Sequence, residues 1–295
     1  MNGFIDLIKP PGMTSSDAVM AVRRLLPRKT PVGHGGTLDP DAAGVLPICV
    51  GKATRLFDYI IDKDKTYIGE LLLGVETDTL DASGKILARH DVNVSMDAVF
   101  SVLNEFTGDI EQVPPVYSAL KLGGEPMYRL ARKGESIALE ARRVHVHSIE
   151  LLCQTAPDRF LLKIICGKGV YIRSLMRDIG ARLGSGGCMS FLLRSQSGAL
   201  TAGDGYTLDE LSAMEDISHA LQPCDTMLGA YPKAVLPEEK RANLLNGQML
   251  MKDWFTQNEA APGEIARVYV ENEFAGMGVM NDDGSLKIKA MLLDR

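Results

Sequence analysis

Strand-like and helix-like patterns interleave along this chain without the spacing of repeated βαβ units, and this feature limits the fold most strongly. The first segment, residues 3–27, predicts a strand, a turn and a helix, with Thr14 or Ser15 as the N-cap. Three further segments alternate like strands: 65–74, 142–151 and 159–169. This order predicts an α+β fold with a mixed central sheet and flanking helices.

Two more segments have helical spacing and end at a glycine. They are residues 95–108, closed by Gly108, and residues 170–184, closed by Gly184. Residues 111–135 mix a proline-stiffened loop with a short basic helix. After about residue 230 the pattern changes, because residues 266–292 read as three short strands separated by turns. We therefore predict a main domain over residues 1–230 and a small β-rich domain over 231–295.

Composition excludes several classes of protein. The 295 residues contain no apolar run long enough for a membrane span and no signal-peptide pattern at the start, so we expect a cytoplasmic protein without a membrane partner. The five cysteines include no CxxC pair, which argues against a disulfide framework and a structural zinc site. Buried free thiols are the expectation.

The net charge of −6 hides an uneven distribution. Residues 201–295 hold 16 acidic and 8 basic residues, whereas residues 1–200 hold 22 acidic and 24 basic ones. Within the latter, residues 163–194 contain six bases and one acid. A local positive field of this kind suits a polyanionic partner, although a solvated basic face without a partner is equally consistent with charge alone.

The stretch VGHGGTLDPDAAGVLP, residues 32–47, places Asp39 among four glycines and two prolines. An aspartate before proline often has only a structural role in a turn. Alternatively, the stiff loop holds a nucleophile or base at a pocket, and glycines let a substrate approach the backbone. Such a carboxylate needs an opposite charge, for which Arg173 is a candidate at a predicted helix start.

Other interpretations of this stretch fail. A phosphate-binding P-loop needs glycine where Leu46 stands. A calcium loop starting at Asp39 would have Ala43 and Val50 at ligand positions. No histidine or cysteine near His34 completes a metal site, and His145 and His147 share one strand face without a third ligand. We therefore expect no metal and no cofactor.

Several blocks of the chain resemble the bacterial TruB family of tRNA pseudouridine synthases. The blocks are KPPGMTSSDAV, GHGGTLDPDAAGVLPICVGKATR, KTYIGELLLGVETDTLDASG, VPPVYSALKLGGEPMYRLARKGE and GVYIRSLMRDIGARLG, with NLLNGQML and FAGMGVM near the C-terminus. The resemblance implies a largely antiparallel pseudouridine synthase fold with a PUA-like C-terminal domain. It also implies isomerisation of uridine 55 in the TΨC loop, with the T-arm of tRNA as partner and a monomeric enzyme.

The resemblance also implies roles for individual residues. Asp39 matches the catalytic aspartate, Tyr67 the aromatic residue that stacks on the target uracil, and Arg173 the arginine that pairs with the aspartate. The other matches are Tyr171, an active-site tyrosine; His34, which helps to fill the space left by the flipped base; and Leu192, whose backbone contacts the uracil.

Three positions depart from the family pattern, and one segment is a candidate RNA-binding loop. Gly35 stands where the family often has threonine, and Leu193 and Ser195 replace an arginine and a threonine. We expect Gly35 to loosen the loop slightly, whereas Leu193 and Ser195 put one RNA-backbone contact in doubt. The candidate thumb-like loop carries four bases, Lys121, Arg129, Arg132 and Lys133.

Three alternative functions remain open on sequence. A tRNA-binding chaperone would share the basic surface but would not need Asp39, Tyr67 and Arg173 together. A guide-RNA-dependent relative is less favoured, because the chain lacks the long lysine-rich extensions of eukaryotic members. A carboxylate hydrolase lacks a recognisable second acid.

Overall fold

The computed structural model describes residues 1–118, 121–122, 125–127 and 139–294. Most of the predicted short basic helix, with Arg129, Arg132 and Lys133, lies outside the described residues. The strands are β1 Gly3–Lys9, β2 Val32–His34, β3 Ala43–Val50, β4 Lys65–Leu73, β5 Val75–Thr77, β6 Ile86–Arg89, β7 Gly108–Gln112, β8 Lys121–Leu122, β9 Glu125–Pro126, β10 Arg142–Ala156, β11 Arg159–Cys166, β12 Gly187–Ser197, β13 Leu200–Thr201, β14 Lys233–Leu236, β15 Gln257–Asn258, β16 Ile265–Val270, β17 Glu273–Met280 and β18 Leu286–Met291.

The described α-helices are α1 Ser15–Leu25, α2 Phe57–Ile60, α3 Met96–Leu103, α4 Ile172–Arg182, α5 Leu208–Ala213 and α6 Arg241–Leu245. Short 3-10 helices occupy Gly51–Leu56, Asn104–Phe106, Ile217–Ala220, Thr226–Leu228, Glu238–Lys240 and Lys252–Trp254. In the part of the chain that the structure describes, none of the helices has the length and hydrophobicity needed to cross a membrane.

The chain forms two compact units. The first contains Met1–Asp39, Val45–Asp62 and Gly198–Arg295, and the second contains Pro40–Gly44 and Lys63–Ser197. The predicted domain boundary between residues 230 and 231 stays a prediction.

The second unit is built on an antiparallel sheet in the order β12–β4–β11–β10–β7. The first two residues of β3, Ala43 and Gly44, run parallel to β12 beside Leu193 and Arg194. Helix α4 packs closely over the sheet at Gly69, where a Cβ atom would lie 2.8 Å from Cε of Met176. The expected mixed, largely antiparallel sheet with a flanking helix is thus confirmed.

The first unit joins the start of the chain to its end. Helix α1 begins at Thr14, whose hydroxyl accepts from the backbone of Asp17 while the Asp17 carboxylate accepts from the Thr14 N–H, a capping box. One core combines residues from both chain ends: Phe4, Val45, Cys49, Ala53, Leu56, Ile60, Leu200, Met227, Leu228, Met277, Ala290 and Leu292. A five-stranded sheet in the order β15–β14–β16–β17–β18 confirms the β-rich C-terminal region.

Two sequence predictions need correction. Helix α3 ends at Leu103 rather than at Gly108, and Gly108, with φ +91°, begins strand β7 instead. Residues 43–50 form strand β3, although glycine and proline favoured a loop there. The strand is retained because Val45–Val50 is fully buried, so tertiary packing outweighs local propensity.

Candidate active site

The start of helix α1 fixes the backbone of Leu38, the residue immediately before Asp39. The Ser15 hydroxyl accepts from the Leu38 N–H at 2.9 Å and donates to the Leu38 carbonyl at 3.0 Å, and both side chains are buried. A single hydroxyl thus satisfies both backbone groups of Leu38. This contact, which joins residues 23 positions apart, holds the backbone immediately before the half-buried Asp39.

His34 belongs to strand β2 and lies opposite Ile48 of β3. The next N–H, that of Gly35, donates to the Pro47 carbonyl at 2.7 Å. A Cβ atom on Gly35 would lie 2.6 Å from Cδ1 of Ile60, so Ile60 occupies the space that a larger residue would need. The close packing of Ile60 against Gly35 therefore accounts for glycine in place of threonine at this position.

Tyr67 and Leu192 lie on the same face of the sheet in the second unit. Tyr67 is 9% exposed and stands opposite Ile164 of β11 and Arg194 of β12, and Leu192 stands opposite Gly69. Because alternate residues of a strand share a face, Arg194 shares this face with Tyr67 and Leu192. Arg194 is 1% exposed, and its place in a basic sequence segment gives no sign of this burial.

Arg173 lies in the first turn of α4 and is 5% exposed. Its guanidinium donates to the carbonyl of Thr79 at 3.0 Å and to the carbonyl of Tyr117 at 2.9 Å. Asp81 Oδ2 lies 3.7 Å from Arg173 Nη1, which is an ion pair. These contacts fix the charged end of Arg173 from two loops.

Asp81 is a residue that sequence reasoning missed. Its Oδ1 accepts hydrogen bonds from the Thr79 hydroxyl and from the hydroxyl and backbone N–H of Ser83. The signal was present in the turn-rich segment TDTLDASG, where several side chains can bind their own backbone. No local pattern, however, indicates that this turn meets Arg173.

Tyr171 is the N-cap of α4, and its side chain makes no capping hydrogen bond. The amide of Gln112 binds both backbone groups of Tyr171, and the Arg142 guanidinium lies 4.9 Å from the centre of its ring. Neither Gln112 nor Arg142 was selected from the sequence.

The six predicted site residues divide between the units. His34 and Asp39 belong to the first unit, whereas Tyr67, Tyr171, Arg173 and Leu192 belong to the second. The pairing of Arg173 with Asp39 stays a prediction.

Leu193 and Ser195 lie on the opposite face of β12 from Leu192 and Arg194. Leu193 stands beside Ile68, and the Ser195 hydroxyl donates to the Thr66 carbonyl at 3.3 Å. Both residues are half-buried. The two departures therefore change a face of the sheet that does not carry Tyr67.

Another carboxylate, Glu70, lies on that opposite face of β4. Burial of Glu70 opposes ionisation, but hydrogen bonds from Ser190, Thr155 and Arg159 outweigh it, so the pKa of Glu70 is below its usual value. An ionised carboxylate that is already engaged is a poor proton donor. Glu70 therefore does not supply the second acid that a carboxylate hydrolase would need.

His145 and His147 share one strand face, as predicted, with ring centres 4.7 Å apart. The two rings contact different carboxylates. A ring nitrogen of His145 lies 2.8 Å from Asp109, and a ring nitrogen of His147 lies 3.0 Å from Asp64. Among the described residues, no group of three or more His, Cys, Asp or Glu side chains could hold a metal ion.

Comparison with known proteins identifies the family. Residues 23–172 match the model of the TruB family pseudouridylate synthase N-terminal domain. Residues 173–229 match the tRNA pseudouridylate synthase B C-terminal domain, and residues 232–292 match the pseudouridine synthase II TruB C-terminal model.

Individual relatives agree with the family models over the full length. The chain is 40% identical over 300 residues to tRNA pseudouridine synthase B of Alkaliphilus oremlandii, covering 100% of both chains. It is 40% identical over 281 residues to tRNA pseudouridine synthase B of Caldanaerobacter subterraneus subsp. tengcongensis, covering 95% of both. A chain in the structure of an H/ACA RNP bound to a substrate RNA containing 2'-deoxyuridine is 25% identical, with a TM-score of 0.76 over 99% of this chain and 86% of that one. The chain belongs to the TruB family of pseudouridylate synthases.

Proposed function

We propose that this protein isomerises uridine to pseudouridine in tRNA, at position 55 of the TΨC loop. The observation that carries the proposal is the match along the whole chain to tRNA pseudouridine synthase B at 40% identity. The T-arm is the proposed docking site, and a cytoplasmic monomer is the proposed form.

The reaction changes the connection between base and sugar without changing the composition of either. The N1–C1′ bond breaks, the uracil rotates, and a C5–C1′ bond forms while C5 loses a proton and N1 gains one. We assign Asp39 as the catalytic carboxylate. Attack on C1′, addition to C6 and abstraction of the C2′ proton are three routes open to it.

Access to the reacting atoms requires the target base to leave the stack of the loop. Tyr67 is proposed to stack on the flipped uracil, which on the usual scale of aromatic contacts offsets about 1–3 kcal/mol of the lost stacking. Leu192, on the same face of the sheet, is proposed to contact the uracil through its backbone. His34 is proposed to help fill the space that the base leaves in the RNA.

Arg173 is proposed to keep Asp39 ionised in a desolvated site. Its own position supports this role, because two carbonyl groups and Asp81 hold the guanidinium in place while it is 5% exposed. Tyr171 precedes it by two residues and is proposed as a further active-site side chain.

RNA binding is proposed to rest on the basic part of residues 1–200, including the segment with Lys121, Arg129, Arg132 and Lys133. Neutralised phosphates release counterions, so affinity should fall steeply as the salt concentration rises. Residues 201–295, with twice as many acids as bases, are poorly suited to broad phosphate binding.

The experiment that tests the function is tritium release from tRNA carrying [5-³H]uridine, followed by mapping of the modified position. Asp39→Asn should reduce release by more than about 10²-fold, as expected when a reacting group is lost. Its tRNA affinity should stay unchanged. Asp41→Asn, which alters an exposed acid two residues away, is the matched control and should retain full activity.

The alternative of a tRNA-binding chaperone is not favoured, because full-length relatives at 40% identity are named tRNA pseudouridine synthase B. Tight tRNA binding by the wild-type protein without any tritium release would favour the chaperone. Asp39→Asn with a tenth of the wild-type rate would count heavily against the assigned role of the carboxylate.

A further inference from the structure

Helix α4 starts at a residue that is poorly suited to starting a helix. Helices prefer Ser, Thr, Asp or Asn at the N-cap, because a short polar side chain can accept from the free N–H groups of the first turn. Tyr171 occupies the N-cap here, and its side chain makes no such bond. The start of the helix that carries Arg173 must therefore be fixed in another way.

Gln112, the last residue of β7, supplies that fixation. Its Oε1 accepts from the Tyr171 N–H at 2.8 Å, and its Nε2 donates to the Tyr171 carbonyl at 3.2 Å. That carbonyl also accepts the first bond within the helix, from Leu175 at 3.0 Å. Gln112 is 0% exposed, and a buried amide is tolerated only when both of its ends are paired.

The residues after Gln112 bind the same turn of the helix. The Val113 carbonyl accepts from the Ser174 hydroxyl at 2.8 Å and from Arg177 at 3.2 Å. The Tyr117 carbonyl accepts from Arg173 at 2.9 Å. The contacts made by Gln112, Val113 and Tyr117 thus align residues 112–117 with the first turns of α4.

The ring of Tyr171 is restrained as well. The Arg142 guanidinium lies 4.9 Å from the ring centre, within the range of a cation–π interaction, and also donates to the Gly169 carbonyl. Backbone and ring of Tyr171 are therefore held by two separate residues that do not themselves belong to the predicted catalytic set.

We propose that Gln112 is a positioning residue for the reaction, which sets the main chain of Tyr171 and through it the placement of Arg173. The inference rests on the proposed function, because it concerns the geometry of those two side chains during pseudouridine formation. The two bonds need a donor and an acceptor side by side, and the amide of Gln112 offers both without having to take up a proton.

Two substitutions test the requirement for both hydrogen bonds. Gln112→Met keeps the length of the side chain but neither bond, and kcat should fall by about 10–100-fold, the scale expected for misplacement by about 1 Å. Affinity for tRNA should stay within about twofold, since the variant leaves the RNA-binding side chains intact. Gln154→Met is the matched control, because Gln154 is exposed and its side-chain amide donates to the Pro157 carbonyl at 3.1 Å.

Gln112→Glu gives a signature that a purely structural role would not produce. The ionised carboxylate accepts from the Tyr171 N–H but cannot donate to the carbonyl, whereas the protonated carboxyl does both. Burial and the facing carbonyl raise the pKa of this glutamate, whereas Arg142, directly opposite position 112 on the neighbouring strand, and the N-terminus of α4 lower it. Activity relative to wild type should increase as the pH falls and the carboxyl becomes protonated. The activity of Gln112→Met relative to wild type should not change with pH.

The outcomes are separable. Wild-type protein that forms no pseudouridine would overturn the proposed function and this inference with it. Active wild type with equally active Gln112→Met would overturn the inference alone. If Gln112→Met does not fold, Gln112→Glu decides: a lowered kcat with unchanged affinity for tRNA at about pH 8.5 supports positioning by the amide, and an unchanged kcat at that pH refutes it.

Discussion

The hydroxyl of Ser15 leads to a quantitative prediction for Ser15→Ala. Its two hydrogen bonds with Leu38, at 2.9 and 3.0 Å, are buried, so alanine would leave a backbone N–H and a carbonyl without their present partner. Each buried group left unsatisfied costs about 1–3 kcal/mol. We expect the free energy of unfolding to fall by about 2–4 kcal/mol in total, because relaxation recovers part of the loss.

The same substitution should affect turnover. Leu38 precedes Asp39, so release of its backbone frees the carboxylate that we propose to be catalytic, and kcat should fall by about 10-fold or more. Urea unfolding followed by circular dichroism gives the stability change, and tritium release gives kcat. Ser101→Ala is the control, since Ser101 is an exposed helical serine that donates to the Asp97 carbonyl at 2.8 Å. Equal stability and kcat in the two variants would refute the reasoning.

Three other predictions concern a charge, a close contact and the thiols. Arg173→Lys should lower turnover by about 10²-fold in the tritium assay, because one ammonium cannot replace the planar fork that reaches two carbonyl groups; full activity would contradict this. Gly180→Ala should lower the free energy of unfolding in urea by about 1–3 kcal/mol, since its Cβ would lie 2.6 Å from backbone atoms of Gly186 and Gly187 at the start of β12; an unchanged midpoint would be inconsistent with that packing. Burial raises the pKa of Cys49 and of Cys166 to about 12, so iodoacetamide at about pH 8 should label exposed Cys153 first, as mass spectrometry would show. Unfolding returns the two buried thiols to a lower pKa. Their contribution to the free energy of unfolding is therefore complete below about pH 9 and should be lost as the pH rises towards about 12.

The sequence predicted elements whose signals are local. Helix α1 follows from an N-cap residue, Thr14 or Ser15 in the prediction and Thr14 in the structure, and from helical spacing after it, which need only neighbouring residues. Strand β3 was missed because Gly44 and Pro47 disfavour a strand locally, and only its complete burial in the folded protein reverses that preference. Gly108 was read as a helix end because a glycine with positive φ serves equally well at the start of a strand.

The proposed site residues come from the sequence, whereas the residues that support them do not. Asp39, Tyr67 and Arg173 were selected by resemblance to a family, whereas Asp81 and Gln112 were not selected at all. Gln112 meets Tyr171 across 59 residues of chain, and nothing in the local sequence reports such a contact. The support for a site is set by tertiary contacts, which periodicity and spacing do not encode.

Residues from both ends of the chain share one core, and this affects when each unit can fold during synthesis. The second unit is nearly continuous, residues 63–197, so it can complete its sheet while synthesis is still under way. The first unit cannot, because Phe4 and Val45 pack against Leu228, Met277 and Leu292. At ribosomal rates of about 5–20 residues per second, roughly 10–50 s pass between the synthesis of residue 62 and that of the last strand. The loop with Asp39 lies in the first unit, so the core of that unit is completed only after Met277 and Leu292 have been made.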